Sequence, residues 1–184
     1  MEGKKIAIIY EDVNKEILGE VIDITESILN KNNIVVEMMV NSREPRYKFQ
    51  ARLVEQDADY LITFAMAGFG GKTLIGHNSY NLVCAKQIHI LIGDYSHYHE
   101  LLKGEHGINM FFFADHGKWV NRWREEYKGV QFFEKIPPLY IGKKLTSNEK
   151  KADENTIRNL VDKVVELVEG DKPLILSDRQ LEAW

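Results

Sequence analysis

The sequence predicts an α/β protein, a Rossmann-like three-layer αβα domain on a mostly parallel sheet of about six strands, with a further helix at its carboxyl end. Short apolar runs alternate with helical segments of 10–18 residues, the order that βαβ units produce. The runs are apolar throughout, as strands are when helices cover both faces of a sheet. The chain has 184 residues, 44% hydrophobic and 28% charged, an ordinary globular composition at the length of one domain. Such a chain buries roughly 70% of its unfolded surface and needs no disulfide or metal to hold a core.

In order, KKIAIIY (residues 4–10) reads as a buried strand. Ile17, Val21, Ile24, Ile28 and Leu29 then recur at helical spacing across residues 14–31. IVVEMMV (34–40) is the second strand, and a polar segment with Pro45 leads to a short helix over 47–56. DYLITFAM (59–66) is the third strand and runs into the glycine cluster AGFGGKT. A helix is predicted over 74–86, a strand over QIHILIGD (87–94), a short helix in HYHELLKGEHG, and a strand over INMFFFAD (108–115). GKWVNRWREEY (117–127) reads as a helix and VQFFEKI (130–136) as a strand ended by Pro137-Pro138, which cannot donate to a ladder. This organises the chain as a domain over 1–142, a polar linker over 143–155, and a carboxyl-terminal segment over 156–184. In that segment Ile157, Leu160, Val161, Val164, Val165 and Val168 mark a helix face, and PLILS (173–177) a short strand, packing on or extending the domain.

Charge narrows the partners. Lys+Arg 24 against Asp+Glu 28 gives a net charge of −4, which argues against a dedicated nucleic-acid or anionic-membrane surface. Cys84 is the one cysteine, so no internal disulfide is expected, and without a fixed base partner it reads as a small buried hydrophobe. No run approaches the roughly 18–20 apolar residues of a membrane span, and the amino terminus lacks a signal-peptide core. A cytoplasmic, soluble protein is the expectation.

Gly71-Lys72-Thr73 after a strand resembles part of a phosphate-binding loop, in which backbone amides cradle phosphates and the Lys neutralises them. The first glycine of that motif falls at Met66, so the motif is degenerate. Asp94, His97, His99, Asp115 and His116 follow two strands expected to be neighbours and suit one crevice at the sheet's carboxyl edge. Imidazole titrates near neutrality, so acid/base work or substrate hydrogen bonding fits these histidines better than metal binding, for which spacing fixes no third ligand. His89, between Ile88 and Ile90, reads as a satisfied core residue. Phe111–Phe113, Phe132 and Phe133 read as core, and Trp119 and Trp123 as one packed helix face.

DADYLITFAMAGF, SYNLVCAKQIHILIGDYSHYHELL and INMFFFADHGKWVNRWREEYKGVQFFEKIPPL together resemble the amino-terminal half of bacterial GT-B-type glycosyltransferases of the spore-maturation and surface-polysaccharide kind. The likeness covers about residues 57–142 and rests on Met66-Ala67-Gly68-Phe69, Asp94 with Tyr98-His99, and Asp115 with Trp119-Val120. The family continues into a second Rossmann-like domain that holds the nucleotide sugar; here Pro137-Pro138-Leu139-Tyr140-Ile141-Gly142 leads instead to a polar linker and one helix. The resemblance therefore implies the acceptor-side half, inactive alone, with a nucleotide-sugar or glycan substrate and a donor-domain partner or a homodimer. It makes Asp94, His97 and His99 the candidates for a catalytic base. Gly68, Phe69, Gly70, Gly71, Lys72, Tyr98, Asp115 and His116 become candidates for substrate binding, with no metal and no cofactor. A non-catalytic Rossmann-like binding module, and a nucleotide-binding protein using the GGKT turn, are the alternatives.

Overall fold

In the computed structural model the described residues are 3–69, 78–92, 98, 110–114, 121–122, 132–135 and 154–170. Strand β1 (Lys5–Glu11) is buried along its centre. Its alternating side chains serve two cores: Ile6, Ile8 and Tyr10 enter one, Ala7 and Ile9 the other. Both faces of the sheet are therefore covered, which is why the strand carries no polar alternation.

Helix α1 (Lys15–Leu29) buries Leu18, Val21, Ile22 and Leu29 in the first of these cores. The asparagines that follow end it: the Asn33 amide and side chain both donate to the Leu29 carbonyl, at 3.1 Å each. β2 (Ile34–Val40) returns alongside β1, with Ile8 opposite Glu37. α2 (Arg46–Gln56) starts after Pro45, whose fixed φ suits a helix entry, and stops at Asp57 in a left-handed conformation (φ 46°). Phe49 and Leu53 anchor α2 on the second core.

β3 (Tyr60–Phe64), β4 (Lys86–Leu91), β5 (Met110–Ala114) and β6 (Phe132–Lys135) complete the sheet. Among the described residues it has six strands, all parallel, in the order β2-β1-β3-β4-β5-β6. The chain steps outward from β1 to β2, then crosses to β3 on the other side of β1 and continues in one direction. This is the doubly wound, flavodoxin-like order.

Helix α3 (Glu154–Glu169) lies with α1 on the first core, where Ile157, Leu160, Val161, Val164 and Val168 are all buried. Each such side chain contributes about 1.5–3 kcal/mol, so α3 is a layer of the domain and no loose appendage. Its end is pinned at the amino edge of the sheet. The Tyr60 hydroxyl donates to the carbonyls of Leu167 and Val168 (3.4 and 3.3 Å) and accepts from Lys86 Nζ (3.2 Å).

The structure departs from sequence expectation in the region before β4. The helix expected over 74–86 is, where described, one 3₁₀ turn at Ser79–Leu82, followed by extended backbone at Val83. Asn78 Oδ1 takes the Tyr80 amide at 3.0 Å, an Asx turn that satisfies the backbone locally and competes with helix propagation. Cys84 falls in this connection and is exposed, because the strand that would bury it begins only at Lys86. Residues 74–77 and the strand expected at 173–177 lie outside the described residues, as does most of the helices expected after β4 and β5, of which only residues 98 and 121–122 are described, all helical.

Candidate functional site

Where strand order reverses, the loops leaving neighbouring strands diverge, and a crevice opens beyond their carboxyl ends. Here the order reverses between β1 and β3, whose loops leave in opposite directions, and a cavity of about 250 Å³ lies beside the end of β1. Glu11 closes β1 on one wall; Asn41, Ser42 and Glu44, from the loop after β2, form another. The first turns of α2 contribute Arg46 and Phe49, and Gly68 and Ser79 come from the far side of β3.

The walls are tied to one another. Asp12 accepts from the Ser42 amide (3.3 Å) and hydroxyl (3.4 Å) and from the Val13 amide (2.8 Å), joining the loops after β1 and β2. Arg52 bonds Glu44 at 2.7 Å and the Met39 carbonyl at 3.1 Å, so the Glu44 carboxylate is neutralised. Ser79 Oγ accepts from Gln50 at 2.9 Å. Arg46 has an interaction of its own. Glu11 differs from these: its carboxylate has no hydrogen-bond partner among the described residues.

The turn after β3 forms the third wall. Ala65 and Met66 both have φ near +53° and Gly68 has φ +71°. A left-handed non-glycine residue costs about 1–2 kcal/mol, so the surroundings must hold this shape. They do so through backbone bonds from Ala65 to Ile90 (2.9 Å), Ala67 to Phe64 (3.1 Å) and Phe69 to Met66 (3.0 Å). The Tyr80 hydroxyl donates to the Ala67 carbonyl, and Asn78 Nδ2 to the Phe69 carbonyl at 2.7 Å. A side chain at Gly68 would meet the Phe49 ring at 2.8 Å and the Tyr80 hydroxyl at 3.1 Å, so only glycine fits.

Beneath the turn lies a polar core. His89 is fully buried, with Nδ1 2.7 Å from Thr63 Oγ1 and Nε2 3.3 Å from Gln87 Oε1. Phe69 meets the His89 ring edge-on at 5.3 Å. Burial depresses the His89 pKa to about 3, which keeps the ring neutral. Burial likewise pushes the Tyr80 hydroxyl well above its ordinary value, with the Glu11 carboxylate adding to the shift. Both side chains therefore support the site and exchange no protons near neutrality.

Of the residues singled out from sequence, Gly68 lines the crevice. Phe69 is core, and Tyr98 is buried with its hydroxyl bonded to the Ile92 backbone. Gly70, Gly71, Lys72, Asp94, His97, His99, Asp115 and His116 lie outside the described residues. In the part of the degenerate phosphate-loop motif that is described, the Ala67 and Phe69 amides are consumed by turn bonds instead of pointing outward. No group of three or more His, Cys, Asp or Glu among the described residues could hold a metal ion. Sequence reasoning missed Glu11, Ser42, Glu44, Arg46 and Ser79. One local signal was present, the switch from the apolar IAIIY to the polar EDVN at the end of β1.

No family model matches the sequence, and no curated protein matches it. Among solved structures, a point mutant of a flavo di-iron protein from Thermotoga maritima superposes with a TM-score of 0.42 at 14% identity. That alignment covers 91% of this chain and 37% of the other, so the chain spans little more than a third of that protein's length. A likeness of this size does not bear on function.

Proposed function

We propose that this chain is the acceptor-side domain of a glycosyltransferase-like protein, which binds a sugar-class ligand in the crevice beyond β1, β2 and β3 and needs a donor-binding half elsewhere for catalysis. The observation that carries the reading is the make-up of the crevice: carboxylate, amide and hydroxyl groups beside the Phe49 ring, at the place where open α/β sheets bind ligands. Sugars present the hydroxyls that such polar groups bind. The turn Met66-Ala67-Gly68-Phe69, part of the sequence resemblance, supplies one wall through Gly68. Asp94, His97 and His99 follow β4 by three to eight residues and remain the proposed source of a base for the acceptor hydroxyl. Fold alone would not justify this assignment, because the same sheet hosts many chemistries.

Thermal-shift screening against monosaccharides, sugar nucleotides and nucleoside triphosphates tests it. Stabilisation by sugars, with none by triphosphates, supports the reading. A triphosphate response abolished by Lys72→Ala would establish the nucleotide-binding alternative instead. Silence across the panel would leave the interaction module as the better description.

A further inference from the structure

Resting on that reading, we infer that the crevice takes a single neutral or cationic sugar ring, with Glu11 receiving its hydroxyl or ammonium group, and that it rejects phosphorylated ligands. Size is the first ground. The cavity of about 250 Å³ is smaller than the roughly 300–1,000 Å³ that accommodates drug-sized molecules, so it matches one sugar ring better than a whole nucleotide sugar.

Charge is the second ground. The acidic groups around the crevice divide into two kinds. Glu44 is neutralised by Arg52 at 2.7 Å, and Asp12 is occupied by the Ser42 and Val13 donors. Glu11 alone among these three has no hydrogen bond among the described residues, yet it lines the cavity. A carboxylate accepts and cannot donate, so it is matched by ligand O–H or N–H groups and opposed by a phosphate. Arg46 also lines the cavity and already has an interaction of its own.

Three ligands sharing one ring test the inference: glucose, glucosamine and glucose 6-phosphate, titrated by saturation-transfer NMR at about pH 6.5, where an ordinary amine is protonated. Wild-type protein is expected to bind glucosamine roughly five- to tenfold more tightly than glucose 6-phosphate, with glucose between them. Glu11→Gln, nearly isosteric at the rim of the cavity, should retain the wild-type melting temperature and collapse that order to within about twofold. If the sugars bind and Glu11→Gln leaves their order unchanged, or if glucose 6-phosphate binds best, the inference fails while the sugar-binding reading stands. If none of the three binds wild-type protein, both fall.

Discussion

Gly68→Ala is the substitution whose effect the structure determines most closely. Gly68 has φ +71°, a conformation that costs an L-residue about 1–2 kcal/mol. The new methyl would also lie 2.8 Å and 3.0 Å from the Phe49 ring and 3.1 Å from the Tyr80 hydroxyl. Neither neighbour can give way cheaply: Phe49 is 5% exposed, Tyr80 is 0% exposed, and the Tyr80 hydroxyl is bonded to the Ala67 carbonyl. Overpacking of this kind adds about 1–3 kcal/mol. The expected loss is therefore about 2–5 kcal/mol, which for a domain of this size lowers the melting temperature by roughly 4–20 °C. Urea unfolding followed by circular dichroism reads it directly. A loss below about 0.5 kcal/mol, the level of an ordinary surface substitution, would refute the geometry assigned to the turn.

Three further outcomes follow from the same structure. Gly19→Ala, inside α1 with nothing within 4 Å of the new methyl, should stabilise by about 0.5–1 kcal/mol; urea unfolding showing destabilisation would contradict the helix assignment. His89 has a folded pKa near 3 against an ordinary 6.5, so the unfolded chain binds the extra proton between those values. Its contribution is complete above pH 6.5 and is lost at about 1.4 kcal/mol per pH unit as pH falls toward 3; His89→Gln should flatten the slope of stability between pH 6.5 and 5, and an unchanged slope would place the proton elsewhere. Tyr60→Phe removes the hydroxyl that bridges Lys86 to the end of α3 and should cost about 1–3 kcal/mol, with faster amide exchange in the last turn of α3; unchanged exchange there would dissociate the bridge from the anchoring of the helix.

The layers of the fold were legible because they rest on local pattern. Ile6, Ile8 and Ile9 announce a strand buried on both faces, and Ile157, Leu160, Val161, Val164 and Val168 announce one face of a helix. The region before β4 was misread because apolar spacing says nothing of competing side-chain bonds: Asn78 captures the Tyr80 amide and turns the chain out of a helix, leaving Cys84 exposed. The candidate site was less legible still. Gly68 stood out as a glycine, but Glu11, Ser42 and Ser79 are ordinary residues in sequence, at positions 11, 42 and 79. They converge only because β1 lies between β2 and β3, a sheet order that periodicity does not encode. Once that order is known, the polar residues ending β1 become the first place to look.

The central claim is that the crevice beyond β1, β2 and β3 holds a sugar on the acceptor side and no nucleotide donor. Amide chemical-shift mapping with N-acetylglucosamine and, separately, uridine diphosphate glucose tests it most directly. N-acetylglucosamine is expected to shift the amides of Glu11, Ser42, Gly68 and Ser79, while the nucleotide sugar leaves them in place. Shifts at those four amides with uridine diphosphate glucose, or sugar-induced shifts confined to the amino edge of the sheet around Tyr60 and Lys86, would contradict it.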